Sequence, residues 1–71
     1  QAVLVGYETN GAVITAYQDD PRIPGLQRII GRGEVKGGLA ELKVVQDPLD
    51  GYPINYAANL EGAVSEAPTL R

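Results

Sequence analysis

The chain has 71 residues and a formal net charge of −3, and it contains no Cys, His, Met, Trp or Phe. This length predicts one small domain, and the missing Cys and His exclude disulfides, thiolate zinc sites and a Ser-His-Asp triad. The acidic balance argues against nucleic-acid binding, and no apolar run is long enough to span a membrane.

A chain this small has few sources of stability. A domain of this size buries only about 60% of the surface that its unfolded chain exposes. Its core must come from Val, Leu, Ile, Ala and Tyr, because tyrosine is the only aromatic residue type present. Small scaffolds without disulfides or metals often gain stability by association. We therefore expect the chain to oligomerise or to join a larger assembly.

The first elements in chain order predict a β-hairpin. Residues 2–9 and 12–18 are rich in Val, Ile, Tyr and Thr, and they flank Asn10-Gly11. That dipeptide favours a type I′ turn, which requires positive φ at both central residues and fixes the register of the hairpin. The expected pairs are Thr9 with Ala12, Tyr7 with Ile14, Val5 with Ala16, and Val3 with Gln18.

The two faces of this hairpin differ in composition. The predicted core face carries Val3, Val5, Tyr7, Ile14 and Ala16. The other face mixes apolar and polar residues: Leu4, Gly6, Glu8, Val13, Thr15 and Tyr17. Because an exposed strand face is usually more polar, this second face is a candidate interface.

The next segment predicts a loop followed by a strand. Residues 19–25 contain two prolines and a glycine, which are typical of a loop. Residues 26–36 favour a strand, although the first apolar residues also fit one helical turn. Within this strand, Gly31 and Gly33 indicate a bulge, a bend or a close backbone approach. Residues 37–38, both glycine, predict a turn.

The remaining chain predicts two more strands and a polar end. Residues 39–46 alternate apolar and charged side chains, which favours a strand over the helical alternative. Residues 47–51 predict a turn, and residues 52–60 a last strand. The polar segment 61–71 contains Pro68 and is expected to be an extended C-terminal arm.

These elements predict an all-β fold, a small barrel or sandwich of five to six short antiparallel strands. Residues 1–60 would form a single small β domain, and residues 61–71 the arm. No segment shows a convincing helix.

No motif indicates a catalytic, metal or cofactor site. The acidic clusters at 19–20 and 47–51 could supply oxygen ligands to calcium, but Asp, Pro and Gly are also the residues that turns require. Paired carboxylates for glycoside hydrolysis need a cleft that 71 residues can hardly wall. We therefore predict no enzyme, no cofactor and no metal.

Seven side chains are candidates for a protein interface. The apolar and aromatic candidates are Leu4, Val13, Tyr17 and Tyr52, because tyrosine suits interfaces and Tyr17 and Tyr52 border loops. The basic candidates are Arg28, Arg32 and Lys36, which the strand pattern places on one face. That row could meet an acidic protein surface, or it could be a strand edge protected by charge.

The sequence thus favours a non-catalytic assembly module that packs against copies of itself or a larger protein surface. Small viral coat-associated and decoration-type proteins have this general character, as a functional analogy only. The alternatives are a glycan- or peptide-binding β module and an oligomeric enzyme with an active site shared between subunits. The expected partner is protein, with no nucleic acid and no membrane.

Overall fold

A computed structural model describes residues 2–61 and the backbone of residues 64–70. Within this part of the chain there are six β-strands and no helix. The strands are β1 (Ala2–Tyr7), β2 (Val13–Asp19), β3 (Gln27–Lys36), β4 (Leu39–Val44), β5 (Asn55–Ala58) and β6 (Val64–Leu70). They form one antiparallel sheet in the order β5-β2-β3-β4-β1-β6, which curls into a half-barrel. The all-β prediction is confirmed.

The hydrophobic core lies on the inner face of the curled sheet. Its buried residues are Val3, Val5, Tyr7, Ala12, Ile14, Ala16, Ile30, Val35, Ala40 and Leu42. This set includes every residue predicted for the core face of the first two strands. The alternation of apolar residues along each strand therefore identified the buried face correctly.

The predicted pairing of the first two strands is wrong. β1 pairs with β4, where Val5 lies opposite Ala40, and also with β6. β2 pairs with β3, where Ile14 lies opposite Gly33, and also with β5. The two strands are thus consecutive in the chain but separated by β3 and β4 in the sheet.

The turn between β1 and β2 explains this separation. It forms at Asn10-Gly11 as predicted, and the Ala12 N–H donates to the Thr9 carbonyl at 3.3 Å. Of the two central residues only Gly11 has positive φ, +86°, which fits a type II turn rather than type I′. A type II turn splays the flanking strands. Asn10 Oδ1 accepts a hydrogen bond from the Gly38 N–H at 2.8 Å, which docks the turn on the β3–β4 connection.

β3 contains a bulge, one of the irregularities that its glycines predicted. One extra residue, Ile30, shifts its register against β2. Arg28 lies opposite Gln18, whose side chain is buried, whereas Arg32 is exposed on the other face. A bulge inverts the alternation of side chains beyond it. The prediction that Arg28 shares a face with Arg32 and Lys36 is therefore wrong.

The same strand also approaches a neighbouring backbone closely. A Cβ atom on Gly31 would lie 2.6 Å from the carbonyl oxygen of Lys43 in β4. A Cβ atom on Gly33 would come closer still to the carbonyl oxygen of Glu41. Glycine at both positions therefore permits the close approach of β3 and β4.

The C-terminal elements differ in extent from the prediction. The strand expected over 52–60 is β5 alone, four residues long, and Tyr52 lies in the preceding loop. The segment 61–71 contains β6, whose backbone pairs with β1, with Thr69 opposite Leu4. Residues 62, 63 and 71 lie outside the described residues. The division into a domain over 1–60 and an arm over 61–71 stays a prediction.

Candidate functional site

The two edge strands of the sheet are β5 and β6, and the half-barrel does not close between them. No Cα atom of β5 lies within 8 Å of a Cα atom of β6 or of β1, whereas opposite Cα atoms in paired strands are about 4.5–5.5 Å apart. Among the described residues, no strand pairs with the outer edge of β5. We call the gap between β5 (Asn55–Ala58) and the other edge strand, β6 (Val64–Leu70), the seam.

The seam opens on an apolar part of the core. A cavity of about 100 Å³ is lined by Val5, Tyr7, Ile14, Tyr56, Ala57 and Ala58. Tyr56 is half-buried, and this burial raises the pKa of its hydroxyl above the usual value. The β5 side of the seam thus presents an aromatic ring beside small side chains.

At one end of the seam, hydrogen bonds tie the residues that follow β5 to β1 and to the turn after it. The Tyr7 hydroxyl donates to the Leu60 carbonyl at 2.8 Å, and the Thr9 hydroxyl donates to the Glu61 carbonyl. An open hollow of about 570 Å³ beside these hydrogen bonds is lined in part by Glu8 and Glu61. Because these two carboxylates lie at opposite ends of the sequence, no local pattern indicates that they share a hollow.

The apolar interface candidates do not form a single surface. Leu4 on β1 and Val13 on β2 are both half-buried, but β3 and β4 lie between their strands. Tyr17 is half-buried between Ile29 of β3 and Asn55 of β5. Of these candidates, only Val13 and Tyr17 lie on β2, the strand that pairs with β5. Their role as interface residues stays a prediction.

The basic candidates are also dispersed. Arg32 is exposed, donates to the Thr15 hydroxyl at 3.3 Å and lines an outer hollow of about 450 Å³ with Val13. Lys36 is exposed at the end of β3. Arg28 is half-buried and donates to the Asp47 carbonyl at 3.3 Å. Its buried Nε has no hydrogen-bond partner among the described residues.

Tyr52, the remaining candidate, lies in the loop before β5 with 48% of its surface exposed. Gln18 holds this loop, and sequence reasoning missed that role. The Gln18 side chain is fully buried, and its Nε2 donates to the carbonyls of Leu49 at 3.0 Å and Tyr52 at 3.1 Å. Its Oε1 accepts from the Leu49 N–H at 2.7 Å. A polar residue at an inward position of the strand pattern was the available signal.

A second buried polar group is the carboxylate of Asp20, which directly follows β2, two residues after Gln18. Its carboxylate accepts from the Arg22 N–H at 2.8 Å, from Arg22 Nε at 3.2 Å and from Arg22 Nη2 at 3.1 Å. These bonds hold the pKa of Asp20 below its ordinary value. The predicted turn role of this acidic pair fits these contacts. In the described part of the chain, no three acidic side chains are grouped closely enough to hold a metal ion.

Replacing Asp20 by Asn is expected to lower the free energy of unfolding at neutral pH. Asn can still accept from the Arg22 N–H, but it loses the charge. Because the folded-state pKa is lowered, the native carboxylate stabilises the fold above the unfolded value of 3.8, and this contribution disappears as pH falls through the lowered pKa. Urea unfolding of the parent and of Asp20→Asn at about pH 7 and about pH 2 measures the difference in their free energies of unfolding. An equal deficit of Asp20→Asn at both pH values would contradict the charge-based cause.

Comparisons of this chain with protein-family models, with characterised proteins and with solved structures found no match. In the described residues, no helix has the length and apolar character needed to cross a membrane. The functional inference therefore rests on the geometry of the seam and its surroundings.

Proposed function

We propose that this chain is a non-catalytic assembly module that packs against copies of itself or against a larger protein surface. The observation that carries the proposal is the seam, where the described residues leave the outer edge of β5 without a paired strand. An unpaired edge presents rows of backbone donors and acceptors and is a template for another strand. β5 has none of the charges or prolines that commonly block such pairing, since it reads Asn-Tyr-Ala-Ala.

Exposed apolar side chains add to this support. Among the described residues, the large exposed ones are Ile23, Leu26, Leu39, Val45, Tyr52 and Leu60, and Val45 has 70% of its surface exposed. Single exposed apolar residues are ordinary on any protein. In a small domain without disulfides, however, a partner that covers some of them would add stabilising burial.

The experiment is sedimentation velocity of the full chain at concentrations from about 1 μM to about 1 mM, a range over which weak protein contacts titrate. Circular dichroism at each concentration checks that the fold is kept. We expect the mean mass to rise above that of the 7.5 kDa monomer as concentration increases. A folded monomer throughout this range, with no protein that co-purifies, would overturn the proposal.

A second candidate function, peptide binding, is favoured by the same free edge. An extended peptide can add to an exposed strand and gain main-chain hydrogen bonds, with side-chain specificity from adjacent pockets. The apolar cavity beside Tyr56 could take one such side chain. This candidate predicts a monomer that binds extended peptides, whereas the assembly module predicts association of the chain itself.

A further inference from the structure

We propose that β5 pairs antiparallel with β5 of a second copy, around a two-fold axis at Ala57. This inference rests on the proposed function and names the surface and the partner. Two copies would then share one continuous sheet across their seams. An interface of this kind is isologous, so each copy contributes the same residues to it.

The backbone N–H and C=O groups of β5 point alternately toward β2 and away from it. The Asn59 N–H donates to the Val13 carbonyl at 3.3 Å, so this pair is a hydrogen-bonded position of the ladder between β2 and the end of β5. Hydrogen-bonded and non-bonded pairs alternate along an antiparallel ladder. Ala57 therefore bonds toward β2, while Tyr56 and Ala58 direct their N–H and C=O groups away from it, toward the seam.

The register follows from these two outward residues. An axis at Ala57 places Tyr56 opposite Ala58 of the second copy, and Ala58 opposite its Tyr56. Both outward residues then exchange hydrogen bonds, about four in total. An axis at Tyr56 would pair only one outward residue of the strand with its own copy and would place two tyrosine rings opposite each other.

The side chains in this register are complementary. Tyr56 and Ala58 share the inner face, because they lie opposite Ala16 and Ile14 of β2. The pairing thus sets a large ring over a small side chain on that face, twice, and covers the half-buried Tyr56. On the outer face, Ala57 meets its own copy, where the small side chain permits the close approach of a non-bonded pair.

Charge and hydrogen bonding favour a second copy as the occupant. Two chains of net charge −3 repel each other, so they can approach best through an uncharged strip. β5 carries no charge, and the residues that face each other at the ends of the pairing are Asn55 and Asn59. Asn59 uses its Oδ1 to accept from the Val13 N–H at 2.7 Å, which leaves its amide donors to meet Asn55 of the second copy.

The first test uses the absence of Cys in this chain to introduce a single thiol. In the proposed register the two Ala57 Cα atoms are about 4.5 Å apart, within the range that a disulfide spans. We expect Ala57→Cys to form a disulfide-linked dimer under mild oxidation, seen on non-reducing gels. The matched control is Val45→Cys, which has 70% of its surface exposed but directly follows β4, three strands away from β5 in the sheet. This variant is expected to form little disulfide-linked dimer and to run largely as a monomer on the same gels.

The second test is Ala58→Pro, examined by sedimentation. This change removes an N–H that points toward the seam, and proline is tolerated on strand edges where its missing N–H faces outward. We expect a loss of dimer with an unchanged circular dichroism spectrum. If Ala58→Pro fails to fold, the cross-linking result decides.

The outcomes separate this inference from the proposed function. Association of the parent chain without cross-linking of Ala57→Cys would overturn pairing through β5 and leave the assembly function standing. Faster cross-linking of Tyr56→Cys than of Ala57→Cys would overturn the register. A parent chain that stays monomeric, including one that binds an extended peptide instead, would overturn self-pairing together with self-association.

Discussion

Gly33→Ala is expected to destabilise the fold by roughly 3 kcal/mol, a large share of the stability of so small a domain. The new Cβ atom would collide with the carbonyl oxygen of Glu41 and press on the Leu42 side chain at 3.0 Å. β4 cannot move aside easily, because it is paired with β3 on one edge and with β1 on the other. Relief of the collision must therefore disturb two ladders and the core that they enclose.

Urea unfolding followed by circular dichroism measures this effect, and Gly25→Ala is the matched control. Gly25 has a φ of +84°, and a Cβ atom at this position would have no heavy atom within 4 Å beyond its chain neighbours, so alanine there meets backbone strain but no collision. That strain costs roughly 1–2 kcal/mol. A Gly33→Ala chain as stable as the Gly25→Ala chain would contradict the close approach of β3 and β4.

The sequence predicted which residues are buried better than which strands are paired. Alternation along a strand depends only on the residue types, and it correctly placed Val5 and Ile14 in the core. The choice of partner depends on contacts between distant segments. The Asn10-Gly11 pair is compatible with a type I′ or a type II turn, and only the folded chain, in which Gly11 alone has positive φ and Asn10 docks on Gly38, distinguishes them.

The bulge in β3 shows how one residue limits the prediction of a site. Gly31 and Gly33 correctly indicated an irregularity, but not its position. Because Ile30 is the extra residue, every side chain before it changes face, and Arg28 leaves the row that it was expected to form with Arg32.

The sequence alone could not predict the seam either. It depends on how far the sheet curls and on the order of its strands, which no local pattern records. In the structure, Tyr56 of β5 packs against the core. What the pattern could not show is that this strand has a free outer edge among the described residues.

Replacing Gln18 by Leu is the second change expected to have a large effect, a loss of about 3 kcal/mol. Leucine fits a buried site by size, but it removes the partners of the Leu49 carbonyl, the Leu49 N–H and the Tyr52 carbonyl. Each backbone group that is left buried without a partner costs about 1–3 kcal/mol, less where the loop can shift to reach water. Urea unfolding measures the loss, which is expected to be nearly the same at neutral and acidic pH.

Gln18→Glu distinguishes the hydrogen bonds of Gln18 from its packing, because the two side chains have nearly the same shape. A carboxylate can still accept from the Leu49 N–H, but it would face two carbonyl oxygens without a proton to donate. Burial and these oxygens would raise the pKa of the introduced carboxyl above about 4.3, the ordinary value for Glu. Its deficit relative to the parent is therefore fully present above the raised pKa and shrinks as pH falls toward the ordinary value, where the protonated acid can donate to one carbonyl. A deficit of Gln18→Glu that is independent of pH, like that of Gln18→Leu, would show that the side chain does not hold the loop through these carbonyls.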